Sequence, residues 1–308
     1  MNAGKGSLLV MHSRRVLSLI LSGLALATAG GAASPSPAGQ RTAAADSVLA
    51  IPDSLRGRSG QLRVAIVLPL PDSAGGRAAA ATSTAVWSIA DTSTRSLFHF
   101  ISPLPFSQKQ GNRVGAFSVG RWPAERRAPL SPAYRVPDGF IEMTPELQSL
   151  AISTHFVLGD FLSIRSQRDV WPKPLVLNLR LVDKLELIIQ ALADSGFVAP
   201  RLKLMSAFRT PSVTVANART ARAPESRHQY GDAADIIVDA DGDGRMDDLN
   251  ADGRVDLADA RYLVRIILAV EEAHPELVGG IGVYRSAGQS GPFVHVDARG
   301  ERARWGLQ

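Results

Sequence analysis

The chain has 308 residues and no cysteine, so disulfide staples and a thiol-linked lipid anchor are both excluded. Its stability has to come from a packed core, and the length suffices for one or two domains. The apolar run Val16–Ala29 falls short of the roughly 20 residues that a helix needs to cross a bilayer. Charge of one sign is not in large excess. Lys and Arg number 34 against 29 Asp and Glu, a formal +5, which gives only a slight preference for an anionic polymer. A phosphate-cradling loop is also lacking. Gly279–Tyr284 is glycine-rich but has no strand–GxGxxG–helix context, and no nucleic-acid partner is expected.

What is present begins with an export pattern. Lys5, Arg14 and Arg15 precede Val16–Ala29, and small residues follow up to Ala33, as in a signal peptide over 1–33. Ser13–Leu17 loosely matches a twin-arginine signal, although ordinary secretion is the expected route. The mature protein is therefore expected in the periplasm or outside the cell, without an integral membrane segment. Residues 34–60, rich in Ala, Ser, Pro, Gly and Arg, read as a flexible tether. Short strands over Leu62–Leu70, Thr84–Ala90, Leu97–Ile101 and Val114–Val119 suggest a small β-rich module across 61–122. The prolines at 123, 129, 132 and 137 suggest a linker over 123–150. Thr144-Pro145-Glu146 is a helix-opening signal. Leu181, Val182, Leu185, Ile188, Ile189 and Leu192 recur at three and four, predicting a helix over Leu179–Ala193 that Gly196 stops.

Chemistry concentrates in 151–308. Ser226–Asp235 and Phe293–Asp297 together offer two imidazoles and a carboxylate, His228, His295 and Asp235. Hydrolytic zinc takes three such protein ligands and leaves a fourth position for water. His228 and Asp235 lie seven positions apart, too far for one helix face. A loop carrying His228, a turn at Gly231 and a strand Asp235–Val238 are the natural arrangement. In Phe293–Asp297 the alternation puts Phe293, His295 and Asp297 on one face and both valines on the other. A lone histidine in a half-buried strand is more often a packed residue than a ligand. The remaining histidines are His12, His99, His155 and His274. Strand Arg201–Met205 leads to Arg209, whose guanidinium suits a substrate carboxylate or a developing oxyanion, or else a plain surface ion pair. Ser226 either hydrogen-bonds near the site or caps a turn.

An acidic stretch, 239–259, follows Asp235. It contains Asp239, Asp241, Asp243, Asp247, Asp248, Asn250, Asp252, Asp256 and Asp259, in two overlapping Asp-x-Asp/Asn-x-Asp-Gly patterns. Calcium requires six to eight oxygens in a flexible loop with glycine at the sharp turn. Counting from Asp248 as position one puts Asn250, Asp252, Asp256 and Asp259 at three, five, nine and twelve, and Gly253 at six. A structural Ca2+ is expected there, with a solvated acidic loop as the plain alternative. A helix over Leu257–Ala273 should follow.

Ser-x-His-x-x-Gly-x-Ala-x-Asp followed by His-x-Asp resembles the zinc D-alanyl-D-alanine carboxypeptidase and murein endopeptidase family, which shares its fold with the hedgehog signalling domain. The likeness runs from about Thr154 to Trp305 and takes in Ser206–Thr210, His155–Phe161 and Ala303–Trp305. The acidic stretch resembles a dockerin calcium loop. The resemblance implies an α+β fold with an antiparallel sheet and flanking helices. It also implies Zn2+ on His228, Asp235 and His295, and a monomeric hydrolase acting on peptidoglycan peptide stems next to a D-amino acid. Gly279–Tyr284 would shape a cleft wall.

In many relatives an acidic residue three positions before the last histidine moves the proton, and here that position is Pro292. Asp297 is the first substitute for the base, although its spacing better suits orienting His295. His274 and Glu225 are weaker substitutes. A non-catalytic wall-binding or calcium-dependent adhesion module is the competing reading. A dockerin-type assembly partner ranks last, because only one helix follows the loops.

Overall fold

The computed structural model describes residues 41–42, 65–67, 83–91, 96–163, 167–216, 225–285 and 291–307. The expected signal peptide and most of the tether lie outside these. Fourteen strands are assigned among them: β1 (Arg41–Thr42), β2 (Ala65–Val67), β3 (Ala85–Asp91), β4 (Ser96–Ser102), β5 (Leu104–Pro105), β6 (Arg113–Val114), β7 (Phe117–Ser118), β8 (Gly139–Met143), β9 (Lys173–Leu175), β10 (Leu202–Ser206), β11 (Ala233–Val238), β12 (Gly280–Tyr284), β13 (Phe293–Asp297) and β14 (Ala303–Trp305). The helices are α1 (Leu179–Asp194), α2 (Pro211–Ala216) and α3 (Leu257–Ala273). Helices combined with mainly antiparallel sheets make the protein α+β.

The sheet that matters for chemistry has the order β10-β11-β13-β12-β14. Every pairing in it is antiparallel except β12 with β14. Its central strands carry Ile236, Val294 and Val296, all fully buried. α1 and α3 pack against each other, and α3 lies on β12 and β13. Both helices start on side-chain caps. Asn178 Oδ1 accepts from Arg180 N at 3.0 Å, and Asp256 Oδ1 accepts from Ala258 N at 2.7 Å, which satisfies amides that a helix start otherwise leaves unpaired. Glycine at 196, with φ +95°, ends α1 as the sequence suggests.

β3 and β4 pair along their whole length. Val114–Val119 is a tight hairpin, β6–β7, rather than one strand, because Gly115 turns back at φ +52°. The opening at Thr144 is a single 3-10 turn, Glu146–Ser149.

Residues 123–150, read from their prolines as a linker, are instead built into the core. Phe140, Ile141, Met143 and Leu147 belong to the same buried cluster as α1 and the central sheet. Trp122, at the boundary of the expected β-rich module, is 0 % exposed and packs with Phe106 and Phe140. Prolines mark turns here, and the apolar residues between them bury area worth about 25 cal/mol per Å2.

A Lys184–Glu271–Arg304 network ties α1, α3 and β14 together. Lys184 Nζ donates to Glu271 Oε1 at 2.6 Å and to the Asp297 carbonyl at 2.7 Å, and Arg304 pairs with the other Glu271 oxygen. Lys184 is fully buried and Glu271 nearly so, so neither charge has water to fall back on.

Candidate metal centre

His228 lies in a 3-10 turn, Arg227–Tyr230, that ends on Gly231 at φ +68°. A side chain at 231 would put its Cβ 2.2 Å from the Val176 carbonyl oxygen, so the turn needs glycine both for conformation and for space. Trp122 Nε1 donates to the Gln229 carbonyl at 2.9 Å, pinning the same turn from the last residue of the expected β-rich module. β11 then begins at Ala233, two residues earlier than expected, and Asp235 is its third residue.

Register completes the arrangement. Asp235 faces His295 directly across the β11–β13 pair, and a bulge after Leu204 brings Ser206 opposite Asp235. Neighbours directly opposite on antiparallel strands hold their Cβ atoms within about 5.5 Å. The Asp235 carboxylate therefore meets both imidazoles. Its Oδ1 lies 3.2 Å from His228 Nε2 and 3.0 Å from His295 Nδ1. One ligand atom from each of the three residues falls within 4.8 Å of the other two.

Each imidazole is held from behind. His228 Nδ1 donates to the Ala207 carbonyl at 2.6 Å, and His295 Nε2 pairs with Asp297 Oδ2 at 3.2 Å. With Nδ1 of His228 donating to a carbonyl, its Nε2 can offer a lone pair to a cation, and His295 in its neutral form, donating from Nε2 to Asp297, offers Nδ1 in the same way. Ala207 is itself fixed, because its N–H donates to Ser163 Oγ at 2.6 Å and Phe208 N donates to the Phe161 carbonyl at 3.0 Å. Arg209 N–H closes the loop on the His228 carbonyl at 3.0 Å.

Electrostatics favour a cation. Burial pushes the Asp235 carboxyl up, but His228 and His295 outweigh it and hold the group well below the usual carboxylate range. Burial lowers His228, with Asp235 opposing, and the net shift is downward. Burial also acts to lower His295, yet hydrogen bonds that its protonated ring donates to Asp235 and Asp297 raise it overall. The site is thus a buried carboxylate seeking positive charge between two neutral-capable imidazoles. His228, Asp235 and His295 could hold a metal ion, and the donor set of two nitrogens and one oxygen fits one.

Arg209 is buried, with Nη2 3.7 Å from Asp235 Oδ2, so it stands beside the trio and is no exposed surface charge. Asp297 does not sit where a base must. It is 0 % exposed, accepts from Gly280 N at 2.7 Å, and is clasped by Arg299 through Nε at 2.9 Å. Both oxygens are engaged, so its role is to orient His295. Ser226 is half-buried at the start of the 3-10 turn without capping it by its side chain, and no hydrogen bond links its hydroxyl to the trio among the described residues. Glu225 pairs with Arg127 and His274 faces Glu276. His155 is held by Glu186 at 2.6 Å and His99 by Ser88 at 2.7 Å. His12 lies outside the described residues.

Sequence reading missed two neighbours. Trp305 lies 5.1 Å, centroid to centroid, from the His295 ring. It fits because Gly282, opposite His295 on β12, has no Cβ, and one there would lie 2.1 Å from the indole. Gly-x-Gly before a histidine strand was the available signal. Arg299 carries no spacing signal.

In the acidic stretch the carboxylates that converge are Asp239, Asp241 and Asp247. Asp259, expected to close the loop counted from Asp248, instead accepts from Leu249 N at 2.8 Å and Asp256 N at 2.7 Å. The same carboxylate forms the capping box of α3, and Asp239, Asp241 and Asp247 likewise accept from the amides of Gly244, Asp243 and Ala240. Asp248 accepts from Asp252 N and Gly253 N, at 3.2 and 2.7 Å. Asn250 accepts from Asp252 N, Asp252 from Arg254 N, and Asp243 from Arg245 N. The last three are Asx turns, and all of these bonds shape the loops.

Comparison of the chain with protein-family models, curated proteins and solved structures gives no match.

Proposed function

We propose that the protein is an exported zinc metallopeptidase that hydrolyses peptide bonds of peptidoglycan stems beside a D-amino acid. The observation that carries this reading is the meeting of His228, Asp235 and His295 from two strands and a turn, with each imidazole oriented from behind. Two nitrogens and one oxygen make a three-ligand set typical of catalytic zinc. Zinc held there would supply an acidified water and a charge that polarises a carbonyl.

The chain's own residues do the rest. Arg209 keeps its charge at any working pH and offers donors to a terminal carboxylate or an anionic oxygen. Asp297 and the Ala207 carbonyl hold the imidazoles. Trp305 and the glycines of β12 form a wall beside His295. The motif resemblance supplies the substrate class.

The test combines elemental analysis with mass spectrometry of muropeptides after digestion. Near-stoichiometric zinc is expected, with products that vanish on chelation and in His228→Ala. Turnover that survives His228→Ala, or protein free of transition metal, overturns the reading.

One observation favours a second reading, a non-catalytic peptidoglycan-binding module. Pro292 stands where an acidic residue would move the proton, and Asp297 is fully engaged elsewhere. Stoichiometric zinc and sacculus binding without products would select it. For the acidic stretch we propose a structural calcium ion on Asp239, Asp241 and Asp247, adjoining the end of β11.

A further inference from the structure

A separate cavity of about 510 Å3 opens beside the start of α1 and the ends of β11 and β13. That volume suits a small organic ligand. Four arginines line it, Arg135, Arg180, Arg227 and Arg299, against two aspartates, Asp138 and Asp232. Arg227 is paired with Asp232 and Arg299 with Asp297. Neither Arg135 nor Arg180 has a carboxylate partner among the described residues. The N-terminal turn of α1, a helix of 16 residues, also faces the cavity through Asn178, Leu179 and Arg180, and adds its partial positive charge.

Tyr230 supplies an independent sign of a missing partner. It lines the cavity and is only 7 % exposed, yet its buried hydroxyl has no hydrogen-bond partner among the described residues. The ring cannot easily swing to find one. Tyr134 packs edge-on against it at 5.7 Å, and the Arg227 guanidinium lies 4.3 Å over its face. Leaving a buried hydroxyl unpaired is unfavourable, and an oxygen from a ligand would satisfy it. Pro103, Pro137, Ile141 and Leu177 give the cavity apolar walls.

We propose that this cavity binds a small organic anion, its acid group taken by Arg180, Arg135 and the Tyr230 hydroxyl and its aliphatic part by the proline-lined wall. Nothing in this proposal depends on the metal centre.

Calorimetric titration of the full protein with hexanoate and, separately, with inorganic phosphate tests it. Saturable binding of either probe is expected, and the preferred probe tells a carboxylate ligand from a phosphate one. Arg180→Ala should weaken it about 10–100-fold, the range for a charge-assisted hydrogen bond, and Tyr230→Phe about 2–10-fold. Tyr230→Phe should leave the melting temperature unchanged or raised, since it deletes a hydroxyl that the free protein leaves unpaired. Binding untouched by both variants, or absence of binding by both probes, overturns the proposal. So does a Tyr230→Phe protein that melts markedly lower, because the hydroxyl would then already be satisfied.

Discussion

At the scale of single residues, the metal centre rests on one carboxylate between two imidazoles. Asp235→Ala should abolish stoichiometric metal in elemental analysis while the helical circular dichroism persists, because Asp235 is the bridge between His228 and His295. Asp297→Asn is expected to weaken metal binding about 10–100-fold, the usual effect of losing the group that orients a ligand histidine. Competition dialysis would measure it, and unchanged affinity would refute the orienting role. The pH dependence has a definite sign. His295 is raised and both histidines must be neutral to bind, so metal affinity should fall as pH drops through the imidazole range. The proton on His295 should start competing above the pH at which an ordinary histidine would. Affinity that does not change on acidification would contradict this.

Secondary-structure elements carry a different set of dependencies. Glu271 is the shared acceptor for buried Lys184 and for Arg304. Glu271→Ala leaves a buried ammonium without its counter-charge and should cost about 3–5 kcal/mol in denaturant unfolding. Gly282→Ala would drive a Cβ into the Trp305 ring; a melting temperature equal to wild type would mean that β14 can shift aside. Asp259→Ala should lose roughly 0.5–2 kcal/mol of helix-cap stability, and the loss should persist in chelator, since its carboxylate holds backbone amides of the loop and of α3.

For the molecule as a whole, the buried residues from Ile101 to Leu147 are part of the core that supports the turn carrying His228. Trp122 is the clearest link, buried among aromatics and bonded to Gln229. The acidic stretch is fastened to the end of β11, where Asp247 N donates to the Val238 carbonyl at 2.9 Å. If Asp239, Asp241 and Asp247 bind calcium, excess ion should raise the melting temperature by mass action, worth about 2.7 kcal/mol at a hundredfold excess over Kd. Asp247→Ala should erase that increment, and equal melting of wild type with and without calcium would refute the site.

The sequence alone determined what depends on local order. The three-and-four spacing of Leu181 to Leu192 called for a helix, and Gly231 and Gly196 marked the turns. The alternation in Phe293–Asp297 set His295 apart from the valines, and the residue types at 228, 235 and 295 suggested a metal. Tertiary structure decided what depends on long-range pairing. Only the β11–β13 register places Asp235 against His295, and only packing shows that Trp122 and the proline-rich segment belong to the core. Only the tertiary structure shows Asp259 holding the amides of Leu249 and Asp256, and Asp297 clasped by Arg299 beside His295. A side chain's neighbours in sequence fix its face and its backbone, but its partners across the core are chosen by the whole chain folding at once.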